Sequence, residues 1–420
     1  MPYHSSSEIS DLLELIAEMS SAFAQSLDVD STLRSGLSRI VERIGAEAGS
    51  VFLLEGAELV CQDCVGPVDI TGLRLEAGHG IVGRTVRLNK STMVFDTSKD
   101  PDFKGAVDKK TGFVTRSILC APLSVGDKRL GALQIVNKTS GDGLFVQRDG
   151  KALEAMAASA ALAIVNARQA RSLLEQERMK HELNLAAEIQ RRLLPDPPTP
   201  NFPVAGHNQP ARTVSGDFYD FVVVPNGKIA FALADVSGKG MNAALIMAKT
   251  ASLFRCLAKD IPSPGRLLAR INDELCETSG NGMFVTMVCG VYDPRSKLVV
   301  LSNAGHEPLL VHNGNDFDDY PAEAPPVGID PLIVGGEPFP EIEIALGERS
   351  LYIFTDGLTE AMRDDGSLLG VEAVQVLIAR HATERPRARL SAIINDLNAP
   401  GLTMRDDATI LVVEGREMKE

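Results

Sequence analysis

Four aspartates stand at the ends of strongly apolar runs. Asp217 lies in Ser215-Gly-Asp-Phe-Tyr-Asp220, just ahead of Phe221-Val-Val-Val224. Asp235 closes the run that begins at Ile229 and is followed by Val236-Ser-Gly-Lys-Gly240. Asp356 ends Leu351-Tyr-Ile-Phe-Thr, and Asp406 opens Asp406-Asp-Ala-Thr-Ile-Leu-Val-Val413. Burying a lone carboxylate costs several kcal/mol, so a strand interior gives no reason to place one there. Convergence on cations removes the difficulty, because Mg²⁺ and Mn²⁺ are hard ions that take oxygen ligands. Two such ions about 3.5–4 Å apart activate a water for in-line attack on phosphorus. Singly, each motif is an ordinary turn or helix cap. The ordered set of four points to a hydrolytic centre.

Strands must carry these groups. From Phe202 onward, runs rich in Val, Ile, Phe and Leu alternate with short acidic turns, the pattern of a sheet-forming domain. Pro195-Asp-Pro-Pro-Thr-Pro200 stops any preceding helix, because proline lacks the backbone donor. Upstream, Leu162 to Leu194 contains neither Gly nor Pro and predicts one long helix. Met179, Leu183, Ala186 and Leu193 share a 3-4 spacing, with Gln169, Ser172 and Gln176 as polar positions on the same seam. A dimeric signalling helix is the expectation, against a solvated spacer.

The first part of the chain begins with helical patterns, one over Leu12, Leu13, Ile16, Met19 and Phe23 and a second from Thr32 to Ile44. Strands are expected at Ser50–Leu54 and Leu59–Cys61. A hairpin over Ser117–Val125 and Leu130–Val136 turns at Gly126-Asp-Lys-Arg129, and a helix follows from Gln147. Helices flanking an antiparallel sheet make an α+β domain. Cys61 and Cys64 have metal-like spacing but no second pair, so they are read as buried reduced thiols.

The turn Gly78-His-Gly80-Ile-Val-Gly83, the hairpin, and Asn137-Lys138 with Phe145 and Asp149 together resemble a GAF domain. Gly150 stands where the cyclic-nucleotide-type pattern has Glu. The resemblance implies a small-molecule ligand, a cyclic nucleotide or another. From Ala187 to Val413 the ordered motifs resemble the SpoIIE/RsbU branch of the metal-dependent protein phosphatases, relatives of protein phosphatase 2C. They are Ala187-Glu-Ile-Gln190, Ser215 to Asp220, Ala234 to Gly240, Asn303-Ala-Gly-His306, Phe354 to Ala361 and Asp406-Asp-Ala-Thr409.

That resemblance implies an α-β-β-α sandwich and hydrolysis of phosphoserine or phosphothreonine on a partner, typically a STAS-domain anti-anti-sigma factor. It implies that Asp235 bridges two Mn²⁺ or Mg²⁺ ions, with the Val236 carbonyl on one. Asp356 and Asp406 complete the other, and Asp217 lies beside them. Asp407 and Asp220 are candidates for outer positions, and Arg212 for holding the substrate phosphate. Where the eukaryotic relatives have a His two places after the bridging Asp, this chain has Ser237, which leaves the general acid open. His306 is read as structural, with catalysis as the competing role. The helix from Met241 to Phe254 starts close to Asp235, so its displacement is expected to move that residue.

The domains implied are a GAF sensor over 10–166, a helical linker over 167–195 and a phosphatase over 197–416. With net charge −14 over 420 residues, the chain is a poor match for nucleic acid. Met1 to Glu8 shows no basic-then-apolar export pattern, and the Ala-rich run from Ala155 to Ala167 is short for a bilayer, so a cytoplasmic protein without membrane contact is expected. The competing reading is a catalytically inactive scaffold that responds to ligand and binds a signalling partner. Retention of all four aspartates argues for the enzyme.

Overall fold

The computed structural model describes residues 29–277, 282–314, 316–329 and 338–416, so the helix expected at Leu12 to Phe23 lies outside the described residues. The chain divides into two compact units, Met1–Glu177 and Arg178–Glu420.

In the first unit, helix α1 (Val29–Ile44) precedes β1 (Ala46–Glu55), β2 (Glu58–Val65) and β3 (Arg74–Glu76). Helix α2 (Gly80–Leu88), β4 (Thr92–Val94), α3 (Ala106–Thr111), β5 (Ile118–Val125) and β6 (Lys128–Lys138) follow. Among the described residues the strands form an antiparallel sheet in the order β3-β2-β1-β6-β5-β4. Strand alternation sorts its two faces. Val51 and Leu53 point to a core with Leu33, Leu37 and Ile40 of α1, whereas Phe52 points to the other face with Ile81 and Val82 of α2. The expected strands are present, β1, β2 and β6 longer than the sequence suggested and β5 starting one residue later. Asn137 takes a left-handed backbone at φ 54. Its amide accepts from the Arg116 N–H at 2.6 Å and donates to Glu47 and the Val114 carbonyl, each at 2.8 Å. Lys138 pairs with Asp149, and Phe145 is buried in the core. These residues hold the domain together.

Helix α4 (Gln147–Leu193) is continuous, so the helix expected from Gln147 and the linker helix are one element of 47 residues. Its first turns bury Ala157, Ala161 and Ile164, whereas Arg168 through Glu182 are all exposed.

The second unit contains β7 (Val204–Gln209), β8 (Phe218–Val223), β9 (Ile229–Val236), α5 (Met241–Leu257), α6 (Pro264–Cys276), β10 (Val285–Asp293) and β11 (Leu298–Ala304). After these come β12 (Leu309–His312), β13 (Phe317–Tyr320), β14 (Ile342–Ala345), β15 (Ser350–Phe354), α7 (Asp356–Thr359), β16 (Met362–Arg363), α8 (Val371–Arg380), α9 (Pro386–Leu397), β17 (Leu402–Thr403) and β18 (Ala408–Glu414). Among the described residues two five-stranded sheets form, β14-β11-β10-β9-β8 and β13-β12-β15-β18-β7. Phe231, Leu233, Val288, Leu351, Ile353 and Leu411 fill the layer between them. Helices α5 and α6 cover the first sheet with Met247, Phe254 and Leu268, and α8 and α9 cover the second with Ile378 and Ile393. The architecture is the α-β-β-α sandwich the motifs imply.

Candidate active site

Alternation along the strands decides which acids reach the layer between the sheets. On β9, Ile229, Phe231 and Leu233 face that layer, so Asp235 continues the same row at the strand's end. On β8, Tyr219 and Phe221 share it, and so does Asp217, just ahead of the strand, by register. Thr355 follows Leu351 and Ile353, and Thr409 precedes Leu411 and Val413, on the facing sheet. The side chains meet accordingly. Asp217 Oδ2 accepts from Thr355 Oγ1 at 2.8 Å and Thr409 Oγ1 at 2.7 Å. Asp220 falls on the opposite face and pairs with Arg255 of α5, with Nε donating at 2.8 Å. It is therefore a strut between sheet and helix.

The four expected aspartates interact at one end of the sandwich. Burial, then the charge of Asp235, pushes the Asp217 carboxyl well above the carboxylate range. Burial raises Asp235 as well, while a hydrogen bond with Asp217 works the other way. The Asp356 carboxyl, at the start of α7, is pushed up to about 7 by burial, then by Asp235, Glu360, Asp406 and Glu307. Such shared repulsion is the signature of anions gathered without enough countercharge.

Local cations and donors hold the outer members. Asp406 Oδ2 lies 2.6 Å from Lys239 Nζ. Asp407 accepts from the Ala211 and Gly216 amides, both at 2.7 Å, so it braces the loop that carries Asp217. Arg212 is exposed, and its charge is felt by Lys239. A Cβ on Gly216 would stand 3.4 Å from the Val236 carbonyl oxygen, which puts that carbonyl beside the Asp217 loop. Gly357 is required more strictly, since a Cβ there would stand 2.0 Å from the Asp407 carbonyl oxygen.

Among the described residues no three His, Cys, Asp or Glu side chains stand at metal-ligand spacing. Threonine hydroxyls occupy Asp217, and the Lys239 ammonium occupies Asp406. The donor set itself fits hard divalent cations: carboxylate oxygens and one carbonyl, with neither thiolate nor imidazole among them.

His306 is buried between the two sheets. Its Nε2 lies 3.0 Å from the Phe354 carbonyl and its Nδ1 2.8 Å from Thr286 Oγ1, a residue paired across from Asp235. The carbonyl can only accept, so Nε2 carries the proton and the Thr286 hydroxyl donates to Nδ1. Burial holds the imidazole down at about 4, hence neutral. It positions the chain beside Asp356.

Sequence reasoning missed Glu307, which directly follows the motif ending at His306, and Glu360, which lies inside the motif Phe354 to Ala361 four residues after Asp356. It also missed what Gln190 does. That side chain donates to the Ser215 carbonyl at 3.1 Å and the Ala244 carbonyl at 3.3 Å, and accepts from the Ser215 amide at 3.1 Å. The end of α4 is thereby tied to the loop bearing Asp217 and to α5.

Residues 225–416 match the family model for Stage II sporulation protein E (SpoIIE), and residues 26–165 match that for the GAF domain. Phosphoserine phosphatase RsbU of Bacillus subtilis (strain 168) is 28% identical over 242 residues, covering 57% of this chain and 71% of RsbU. Protein IcfG of Synechocystis is 25% identical over 264 residues, 55% of this chain and 41% of IcfG. The solved SiaA-PP2C domain of Pseudomonas aeruginosa matches in fold with a TM-score of 0.50 at 20% identity, covering 57% of this chain and 98% of that one. Along the chain, a match to the GAF domain is thus followed by a match to the SpoIIE protein phosphatase domain.

Proposed function

We propose that this chain removes phosphate from phosphoserine or phosphothreonine on a small signalling protein, of the STAS-domain anti-anti-sigma kind, under control of its GAF domain. What supports this is the meeting of Asp217, Asp235, Asp356 and Asp406 at one end of the sandwich, with the first three carboxyls pushed up chiefly by burial.

Asp235, Asp356 and Asp406, with the Val236 carbonyl, would hold two Mn²⁺ or Mg²⁺ ions, with Asp217 alongside. Bound there, the cations supply an activated water and neutralise charge on the transferring phosphoryl group. Thr355 and Thr409 fix the orientation of Asp217. Arg212, exposed near Lys239, offers a planar guanidinium to the substrate phosphate. His306 has both ring nitrogens engaged and stays neutral, so the leaving group takes its proton elsewhere. Regulation runs through the linker, residues 167–195, which pairs two copies in the cytoplasm. The Gln190 contacts carry its state to the Asp217 loop and to α5.

The test is Mn²⁺-dependent phosphate release from a phosphoserine-bearing STAS-domain protein and from an aryl phosphate, with Asp235→Asn as control. No release from either at saturating Mn²⁺ sinks the enzymatic reading and leaves a binding scaffold.

A further inference from the structure

A cavity of about 240 Å³ lies inside the first unit, between the β1/β6 face of the sheet and α2. Phe52, Phe103, Phe113, Ile81 and Val136 give it apolar walls. Most polar side chains that line it are already satisfied. Asp102 pairs with Arg84 at 2.8 Å, Asp108 accepts from the Thr115 amide and hydroxyl at 2.7 and 2.8 Å, and Glu76 holds His79 at 2.9 Å. Cys64 contacts Asp69, and Thr111 donates to Val107.

Two are not. Ser50 and Gln134 stand directly opposite each other on β1 and β6, both line the cavity, and neither side chain has a hydrogen-bond partner among the described residues. Ser50 is only 4% exposed, so what remains open to its hydroxyl is the cavity it lines. A ligand's polar edge meeting these two groups would gain about 0.5–1.5 kcal/mol per hydrogen bond. Both side chains donate and accept, so the edge they complement carries one donor and one acceptor side by side.

Charge narrows the class further. Three carboxylates line the cavity (Glu76, Asp102 and Asp108) but no arginine does, and its one lysine, Lys104, is exposed. The N-terminus of α2 would favour an anion, but the Glu76 carboxylate already stands beside it on His79. A phosphate entering here would meet like charge without a guanidinium.

We infer that the GAF cavity takes an uncharged, flat, largely apolar molecule bearing one amide-like edge, read by Ser50 and Gln134, and that it excludes cyclic nucleotides. This rests on the sensor reading proposed above and names the ligand class of that sensor.

The experiment titrates the full chain calorimetrically with 2-quinolinone, a flat uncharged lactam, and with cyclic GMP and cyclic AMP. The lactam should bind and the cyclic nucleotides should not. Ser50→Ala and the nearly isosteric Gln134→Leu should each weaken lactam binding about three- to tenfold, the worth of one hydrogen bond, with unchanged melting temperature as the check on folding. Binding of either cyclic nucleotide, no lactam binding up to millimolar concentration, or lactam affinity indifferent to both substitutions overturns the inference. Lactam binding with the expected dependence, but with phosphate release unchanged, upholds the ligand class and removes the sensor reading instead.

Discussion

The ammonium of Lys239 rests 2.6 Å from Asp406 Oδ2, where a cation is expected in the working enzyme. Lys239 follows Asp235 by four residues, so the end of β9 and the short loop after it carry an expected ligand and a tethered positive charge that would compete for another. Cation loading at Asp406 would have to displace this ammonium.

Replacing Lys239 by Met should therefore tighten Mn²⁺ binding. An exposed ion pair is worth about 0.2–1 kcal/mol, so the gain is about 1.4- to fivefold. Calorimetric titration of the variant measures it, and unchanged or weaker binding contradicts the competition.

Asp235→Asn removes the carboxylate expected to serve both cations, whereas Thr409→Val removes only a hydroxyl that orients Asp217. Loss of an outer support typically costs about 10–100-fold in metal affinity or activity, so Thr409→Val should fall in that range and Asp235→Asn beyond it. Steady-state phosphate release at several Mn²⁺ concentrations ranks them, and equal effects would place Asp235 outside the centre.

The raised Asp356 carboxyl gives a pH prediction with a definite sign. Its value near 7 in the folded chain exceeds the ordinary 3.8, so the folded state binds the extra proton between those values. Stability of the cation-free protein should fall as pH rises from about 4 to about 7, and the loss is complete above the folded value. Divalent cations bind the deprotonated site, so the rise in melting temperature on adding Mn²⁺ should be larger at pH 8 than at pH 5. Scanning fluorimetry at the two pH values checks this.

Gln190→Leu leaves the Ser215 amide and carbonyl and the Ala244 carbonyl without their side-chain partner in a buried place. The expected cost is about 1–3 kcal/mol, read as a lower urea midpoint for the catalytic unit. A neutral result would mean that water reaches those backbone groups.

Aspartates at the ends of apolar runs made part of the site legible in advance, and strand alternation, which the motifs left unused, sorts them further. Asp235 reads as an inward residue because Ile229, Phe231 and Leu233 precede it at period two, and the same count separates inward Asp217 from Asp220, whose partner Arg255 lies on the next helix. What alternation cannot show is partnership over long separations. Thr409 reaches Asp217 across 192 residues, Gln190 meets Ala244 across 54, and Asp407 braces amides 196 and 191 residues away. The join between the helix from Gln147 and the linker was hidden for another reason. The Ala-rich stretch from Ala155 to Ala163 is as natural in a domain core as in a spacer, and only its burial assigns it. The emptiness around Ser50 and Gln134 has no sequence signal at all, since Ser and Gln in strands are ordinary.

The contact at Gly357 has a further consequence for how the catalytic end is kept ready. The turn bearing Asp356 and the strand start bearing Asp406 touch backbone to backbone, with no room for even a methyl group. Their separation is consequently gauged by main-chain atoms that carry no net charge and do not titrate. Proton or cation occupancy can swing the carboxylates, yet the frame keeps its span, and assembly of the site is completed at folding instead of being repeated at every turnover.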